Sequence, residues 1–302
     1  MAHQLFTPQQ AARSSIAALR YLSVLPRTVN QSFSQEFVAG RGRTVDVPKP
    51  VELSGNGARV YTQANRTARD AIVFDELSQD TIPVTISDQV YKAVREPDDF
   101  ATFDLTSLEQ QVIAPMAQDV VAGLVKPLVD KMKAVAAPTV DEGGAITISA
   151  DGSDALAALI KARQVLNKRN VPFTGRTLAI GPGIEAALLN LPQLQKVNES
   201  GADGVLREAT IGRLFGFDLV VAPELGDDYA VAYDRDAFTL VTRPSAPPRG
   251  AAYTSTVSQD GFALRWLQHY NPLQLEDQIV LDAFVGAETL DPRRAVSLTL
   301  SA

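Results

Sequence analysis

The passage Thr177-Leu178-Ala179-Ile180-Gly181-Pro182-Gly183-Ile184-Glu185-Ala186 has the residue types and spacing for phosphate chemistry: a β-type run enters G-x-G-x-x-A and passes into a helical pattern. Such a turn holds a pyrophosphate on backbone N–H groups, and Asp203, about 20 residues on, stands where an acid would meet a ribose hydroxyl. Three features weigh against it. Asp203 lies in Ser200-Gly201-Ala202-Asp203-Gly204 instead of ending a second strand, the flanks lack repeated βαβ units, and Pro182 removes one N–H. A tight strand-to-helix turn is the simpler expectation, with a nucleotide-dependent enzyme as the competing one. The paired acids Asp75-Glu76, Asp98-Asp99 and Asp227-Asp228 offer carboxylates, but neighbours on a strand point to opposite faces, so solvated turn acids are expected. The two histidines, His3 and His269, are far apart, and His269 beside Trp266 and Tyr270 reads as a packed or hydrogen-bonded strand residue.

With no cysteine, disulfides, thiolate catalysis, iron–sulfur clusters and Cys-based zinc sites are excluded. No G-x-S-x-G, G-x-x-x-x-G-K-[ST], H-E-x-x-H or EF-hand spacing occurs. No catalytic, cofactor-binding or metal-binding residue is therefore assigned, no cofactor is expected, and the chain reads as a non-enzyme.

The elements around these residues belong to a chain of 302 residues, 45% hydrophobic and 21% charged, the proportions of a soluble globular protein with room for roughly two cores. The start, MAHQLFTPQQAARSS, has no secretion-signal pattern, and the longest apolar stretch, near 120–129, is broken by Lys126 and Pro127. A cytosol-like compartment and no membrane partner are expected. The net charge of −7 speaks against base-specific nucleic-acid binding. Its distribution is uneven: residues 1–70 hold nine Lys/Arg against four acids, a surplus of 5, so the remainder carries −12. A basic first quarter on an acidic body can meet an outside polyanion or the acidic body of a second copy.

Along the chain, Ile16, Leu19, Leu22 and Leu25 recur on one helical face until Pro26, which is expected to stop that helix. Strands are expected at 44–47, 71–74 and 81–86, with the polar, Gly/Asn-rich stretch 53–70 as the tip of a long two-stranded excursion. Such a ribbon is marginal alone and leans on a partner. Residues 105–135 form the strongest element: Thr106 and Glu109 make a capping box, and Leu108, Val112, Met116, Val120, Leu124, Leu128 and Met132 make a continuous i+4 row. Pro115 and Pro127 predict a bent helix, two shorter helices being the alternative. Further expectations are a strand at 146–149, a helix at 153–167, a strand at 177–180, a helix from Ile184, a Gly-rich loop at 199–204, and a short helix then a strand in IGRLFGFDLVVAPEL. Strands follow at 230–233, 238–241, 253–257, 262–269, 278–285 and 295–300, with RPSAPPRG as a surface loop.

Three of these stretches carry a family resemblance. FSQEFVAGRGRTVDVPKP after an N-terminal helix, DTIPVTISDQVYKAVREPDDF leading into the long helix, and IGRLFGFDLVVAPEL resemble the major capsid (coat) proteins of tailed double-stranded DNA bacteriophages, whose fold is shared with encapsulin shells. The first looks like the entry into that family's extended loop, and the second like the return strand and the start of the spine helix. The third looks like the helix-to-strand passage inside the domain at the capsomer centre.

The resemblance implies an α+β capsid fold with residues 1–39 as an N-terminal arm, 40–100 as the extended loop, 101–140 with 230–302 as the peripheral domain containing the spine helix, and 141–229 as the axial domain. It implies self-assembly through hexamers and pentamers into an icosahedral shell around phage DNA, a virion location, and assembly in the host bacterial cytoplasm. There is no long N-terminal segment to serve as a built-in scaffold, so a separate scaffolding protein is expected, with the portal and non-specifically held double-stranded DNA as further partners. No cross-linking residues can be matched. An encapsulin-like compartment is the nearer alternative.

Overall fold

The computed structural model describes residues 24–35, 42–48, 58–74, 80–99, 112–191, 212–248, 250, 253–259 and 262–301. Its elements begin with α1 (Leu25–Thr28), β1 (Thr44–Pro48), α2 (Gln63–Ala68), β2 (Thr81–Thr85), β3 (Asp88–Pro97) and the long α3 (Ala114–Lys133). There follow β4 (Ile146–Ser149), α4 (Ala155–Lys168), β5 (Arg176–Ile180), α5 (Pro182–Leu189), β6 (Arg213–Leu214), β7 (Phe217–Val221) and β8 (Tyr229–Asp234). The last strands are β9 (Phe238–Arg243), β10 (Tyr253–Gln259), β11 (Phe262–Asn271), β12 (Glu276–Thr289) and β13 (Ala295–Ser301). The fold is α+β.

The i+4 row of α3 is its buried stripe: Val112, just ahead of the helix, and Met116, Val120, Leu124, Leu128 and Met132 within it are all buried. This stripe lies on a five-stranded sheet of order β10-β11-β12-β3, with β9 pairing the far half of β12, and packs with Leu264, Trp266, Ile279, Leu281 and Leu240. The helix approaches β3 closely at Gly123, where a Cβ would fall 2.5 Å from Val90 Cγ1. One helix runs through Pro127, while Pro115 sits in the first turn, where its missing N–H has no intrahelical partner to lose. Its 20 residues span about 30 Å. The capping pair Thr106/Glu109 and Leu108 lie outside the described residues.

The second sheet has six strands in the order β4-β13-β8-β5-β7-β6, parallel at β4/β13 and β5/β7 and antiparallel elsewhere. It is a wall between two cores. Val231, Tyr233, Ala179 and Ala295 face the core of α3, whereas Ala230, Ala232, Leu178, Ile180, Val296 and Leu298 face α4 and α5. Alternate residues of one strand thus serve opposite cores, which explains why Ala230-Val231-Ala232-Tyr233 reads as an unbroken apolar run.

Several expectations are corrected. Pro26 occupies the first turn of the short helix α1, while the helical face expected ahead of it at Ile16, Leu19 and Leu22 lies outside the described residues. Residues 71–74 have extended-type sequence but join no ladder, and the tip between β1 and β2 carries the short helix α2 instead of only loop. IGRLFGFDLVV contains no described helix. It is the hairpin β6–β7, whose two turn residues Phe215 (φ 49°) and Gly216 (φ 83°) both take positive φ, as a two-residue hairpin turn of matching twist requires. The stretch after residue 86 forms the ten-residue strand β3 along β12, for which only Val90 and Val94 at even spacing gave a signal. The loop 199–204 lies outside the described residues.

Candidate functional site

The glycines of the Gly181–Gly183 turn are required by the protein's own backbone. A Cβ on Gly181 would collide with Gly226 O, and one on Gly183 would lie 2.7 Å from Asp227 O. Gly181 N donates to Tyr229 O at 3.0 Å, so loop 226–229 closes over the turn and presents carbonyl oxygens where a phosphate would need donors. The turn does join a strand to a helix, and β5–α5–β7 is a βαβ unit within a sheet that mixes parallel and antiparallel pairs.

The other singled-out residues do not converge. Asp203, Asp75, Glu76 and His3 lie outside the described residues. Asp98 accepts a hydrogen bond from Tyr270 Oη at 2.9 Å, which raises the phenol's pKa by favouring its protonated form. Asp228 lends only its carbonyl, to Leu300 N at 2.8 Å. His269 lies on strand β11, as expected, but its side chain is exposed instead of packed. Among the described residues no group of three or more His, Asp or Glu is placed to hold a metal ion, and no helix is long and apolar enough to cross a membrane.

The residues that stand out are those of the loop between β1 and β2. These strands pair antiparallel from Thr44↔Thr85 to Pro48↔Thr81, and Ile86 N donates to Arg43 O at 2.9 Å. At the root, Val47, Val84 and Ile86 bury themselves with Val241, flanked by Phe33, Phe284 and Leu290. Gly286 of β12 lets the ribbon cross: a Cβ there would meet Thr85 O and lie 3.0 Å from Ile86 Cα. Beyond the root, none of the described residues 58–74 is buried. Every residue of α2 is exposed or half-exposed, and Val60, Ile72, Val73 and Phe74 are 82%, 68%, 65% and 87% accessible.

Side chains hold this tip in shape. Thr62 and Asn65 form a capping box at the start of α2, and Arg69 closes it in the left-handed region at φ 57°. Arg59 Nη1 donates to Val73 O at 3.0 Å, and Tyr61 Oη to Asp70 O at 2.7 Å. Side chains therefore fasten residues 59–61 to residues 70–73.

Ahead of the loop, residues 24–30 are sewn to the body. Leu25 and Val29 are fully buried, and Thr28 Oγ1 shares a hydrogen bond with Tyr233 Oη, whose burial pushes the phenol pKa upward. Asn30 bridges β9 through Asn30 N to Phe238 O and Leu240 N to Asn30 O, both 3.1 Å.

A charged cluster that the sequence did not signal lies under the loop 244–248. Asp282, 1% exposed at its side chain, accepts from Arg265 Nε at 2.7 Å, from Arg265 Nη2 at 3.0 Å and from Gln89 Nε2 at 2.6 Å, and also from Ser245 Oγ. With Arg265 Nη1 donating to Ala246 O at 2.6 Å, both charges are satisfied, so the cluster joins β3, β11, β12 and the Pro-rich loop without leaving a reactive group.

A family model described as phage capsid protein matches residues 69–296. No curated protein sequence matches the chain. Among solved structures, one titled for Mycobacterium phage Che8 superposes with TM-score 0.67 at 18% identity, covering 91% of this chain and 90% of that one. The capsid of cyanophage P-SCSP1u gives TM-score 0.60 at 15% identity over 86% and 84% of the two chains. A virus-like particle from Pyrococcus furiosus gives 0.55 at 12% identity over 96% and 98%. A root-anchored projecting loop, a spine helix and two cores around a shared sheet are thus the capsid fold, and with the family match over most of its length the chain belongs to the phage capsid protein family, as a structural subunit that self-assembles into the shell of a virion.

Proposed function

We propose that copies of this chain close into an icosahedral shell of hexamers and pentamers around double-stranded DNA, with no catalytic role. One observation carries the proposal: the loop tip exposes Val60, Ile72, Val73 and Phe74 on a ribbon with no core of its own, so these side chains leave water only against another subunit. The tip lies over the spine helix α3 and the five-stranded sheet of a neighbour. The outward face of α3, with Asp119, Lys126 and Asp130, is polar and exposed, suiting many weak, salt-sensitive contacts. Such contacts let misplaced subunits leave before closure.

The division proposed is an arm at 1–39, an extended loop at 40–100, a peripheral domain at 101–140 with 230–302 and an axial domain at 141–229. Strands β8 and β13 form the wall common to the last two. Assembly takes place in the host bacterial cytoplasm with a separate scaffolding protein and a portal, and DNA is held by confinement and counterions without base readout. A second reading, a compartment enclosing protein cargo, draws support from the likeness to the Pyrococcus particle over almost the full length of both chains. Electron microscopy of purified particles with nuclease-protection assays tests both. Shells holding protected DNA are expected; shells holding only protein favour the compartment, and a protein that never forms shells overturns both.

A further inference from the structure

Sheet edges are where one chain can add a strand to another, and proteins block unwanted pairing with charges, proline or brevity. In this molecule most edges are blocked. Strand β3 carries Lys92, Arg95 and Pro97, the ribbon carries Pro83, and the edges of the six-stranded sheet, β4 and β6, have only four and two residues. The exception is β10, Tyr253-Thr254-Ser255-Thr256-Val257-Ser258-Gln259: seven residues with no charge, no proline and no glycine, pairing among the described residues only with β11. An unguarded edge of this length, on a protein that works as many copies, is a site for strand addition.

The same chain offers a matching strand. Residues 71–74, Ala-Ile-Val-Phe, are β-prone and highly exposed, and they join no ladder among the described residues. The bonds from Arg59 to Val73 O and from Tyr61 to Asp70 O tie this arm to residues 59–61 in advance, which lowers the entropy lost on pairing. The arm is basic on a chain of net charge −7, with three arginines against Asp70 alone in residues 58–74.

We propose that the free edge of β10 accepts residues 71–74 of a second copy as an added strand, continuing the five-stranded sheet across the subunit boundary. This rests on the shell reading and names the contact through which the loop acts. The test is hydrogen exchange on assembled particles against dissociated subunits, together with cysteine pairing, for which the Cys-free chain gives a clean background. The expected result is slowing of β10 amide exchange by about tenfold or more on assembly. Oxidised particles of the double variants Phe74→Cys with Thr254→Cys or Thr256→Cys should also run as covalent multimers, which the single variants do not form. Particles whose β10 amides exchange as in the subunit overturn the pairing and leave the shell reading intact. Protection of β10 without cross-linked multimers in either double variant also overturns it, since another segment then covers the edge. Failure of the unmodified chain to form particles overturns both.

Discussion

Asp282 and Arg265 are each held by the other in a site with almost no water, so removing one leaves a buried charge unpaired. Asp282→Ala is expected to destabilise the subunit by about 3–5 kcal/mol. Replacing both with leucine should recover much of that loss, as chemical denaturation will show. Glu96 presents the opposite case. It is 7% exposed and directly across from Asp277, and burial followed by that like charge raises its pKa above the ordinary 4.5. The folded chain therefore holds this proton more tightly than the unfolded one. Its contribution favours folding fully below the unfolded pKa and is lost as pH rises through the raised folded value. Glu96→Gln should raise stability at neutral pH by roughly 0.5–1 kcal/mol and flatten the decline just above pH 4.5. Glu142 runs the other way. Arg169 grips both its oxygens, at 2.6 and 2.7 Å, and holds its pKa at about 2, so the stability it lends is present above 4.5 and lost as pH falls towards 2. Arg169→Gln should make the acid limb of thermal unfolding less steep.

The element with most to lose from a small change is the root of the ribbon. Gly286 is needed because the backbone of β2 crosses β12 there, so Gly286→Ala forces the strands apart and should cost about 1–3 kcal/mol. Hydrogen exchange should locate the damage in β1 and β2, while α4 and β5 keep their protection. Helices and buried strands were the most legible elements in the sequence, because period-4 and continuous apolar patterns report burial directly: the row from Val112 to Met132 and the strand β8 are examples. What escaped depended on distant partners. Strand β3 is an edge whose alternation is interrupted on the helix-facing side by Lys92, which pairs with Asp119 of α3. The β7 half of the β6–β7 hairpin reads as a strand, but its first half reads as a helix because Phe215, a bulky residue at positive φ, hides the turn that Gly216 alone suggests. The Arg265–Asp282 cluster joins strands far apart in sequence and had no local signature. The Gly181 turn admits two readings for a related reason, since close backbone approach and phosphate binding both demand glycine.

For the whole molecule, the uneven charge becomes a property of assembly. With a basic first quarter and an acidic remainder, subunit association should weaken steeply with added salt while thermal stability of the single subunit changes little, which light scattering and calorimetry at matched ionic strengths will separate. The loop is the part of the fold whose burial depends on a second copy. The described residues of its tip, 58–74, add nothing to either core, so removing it should spare folding and abolish closure. Deleting residues 56–69 and following assembly by sedimentation and electron microscopy tests this most directly. A folded subunit with near-native unfolding temperature and no closed shells is the predicted result, and shells of unchanged size and yield would contradict it.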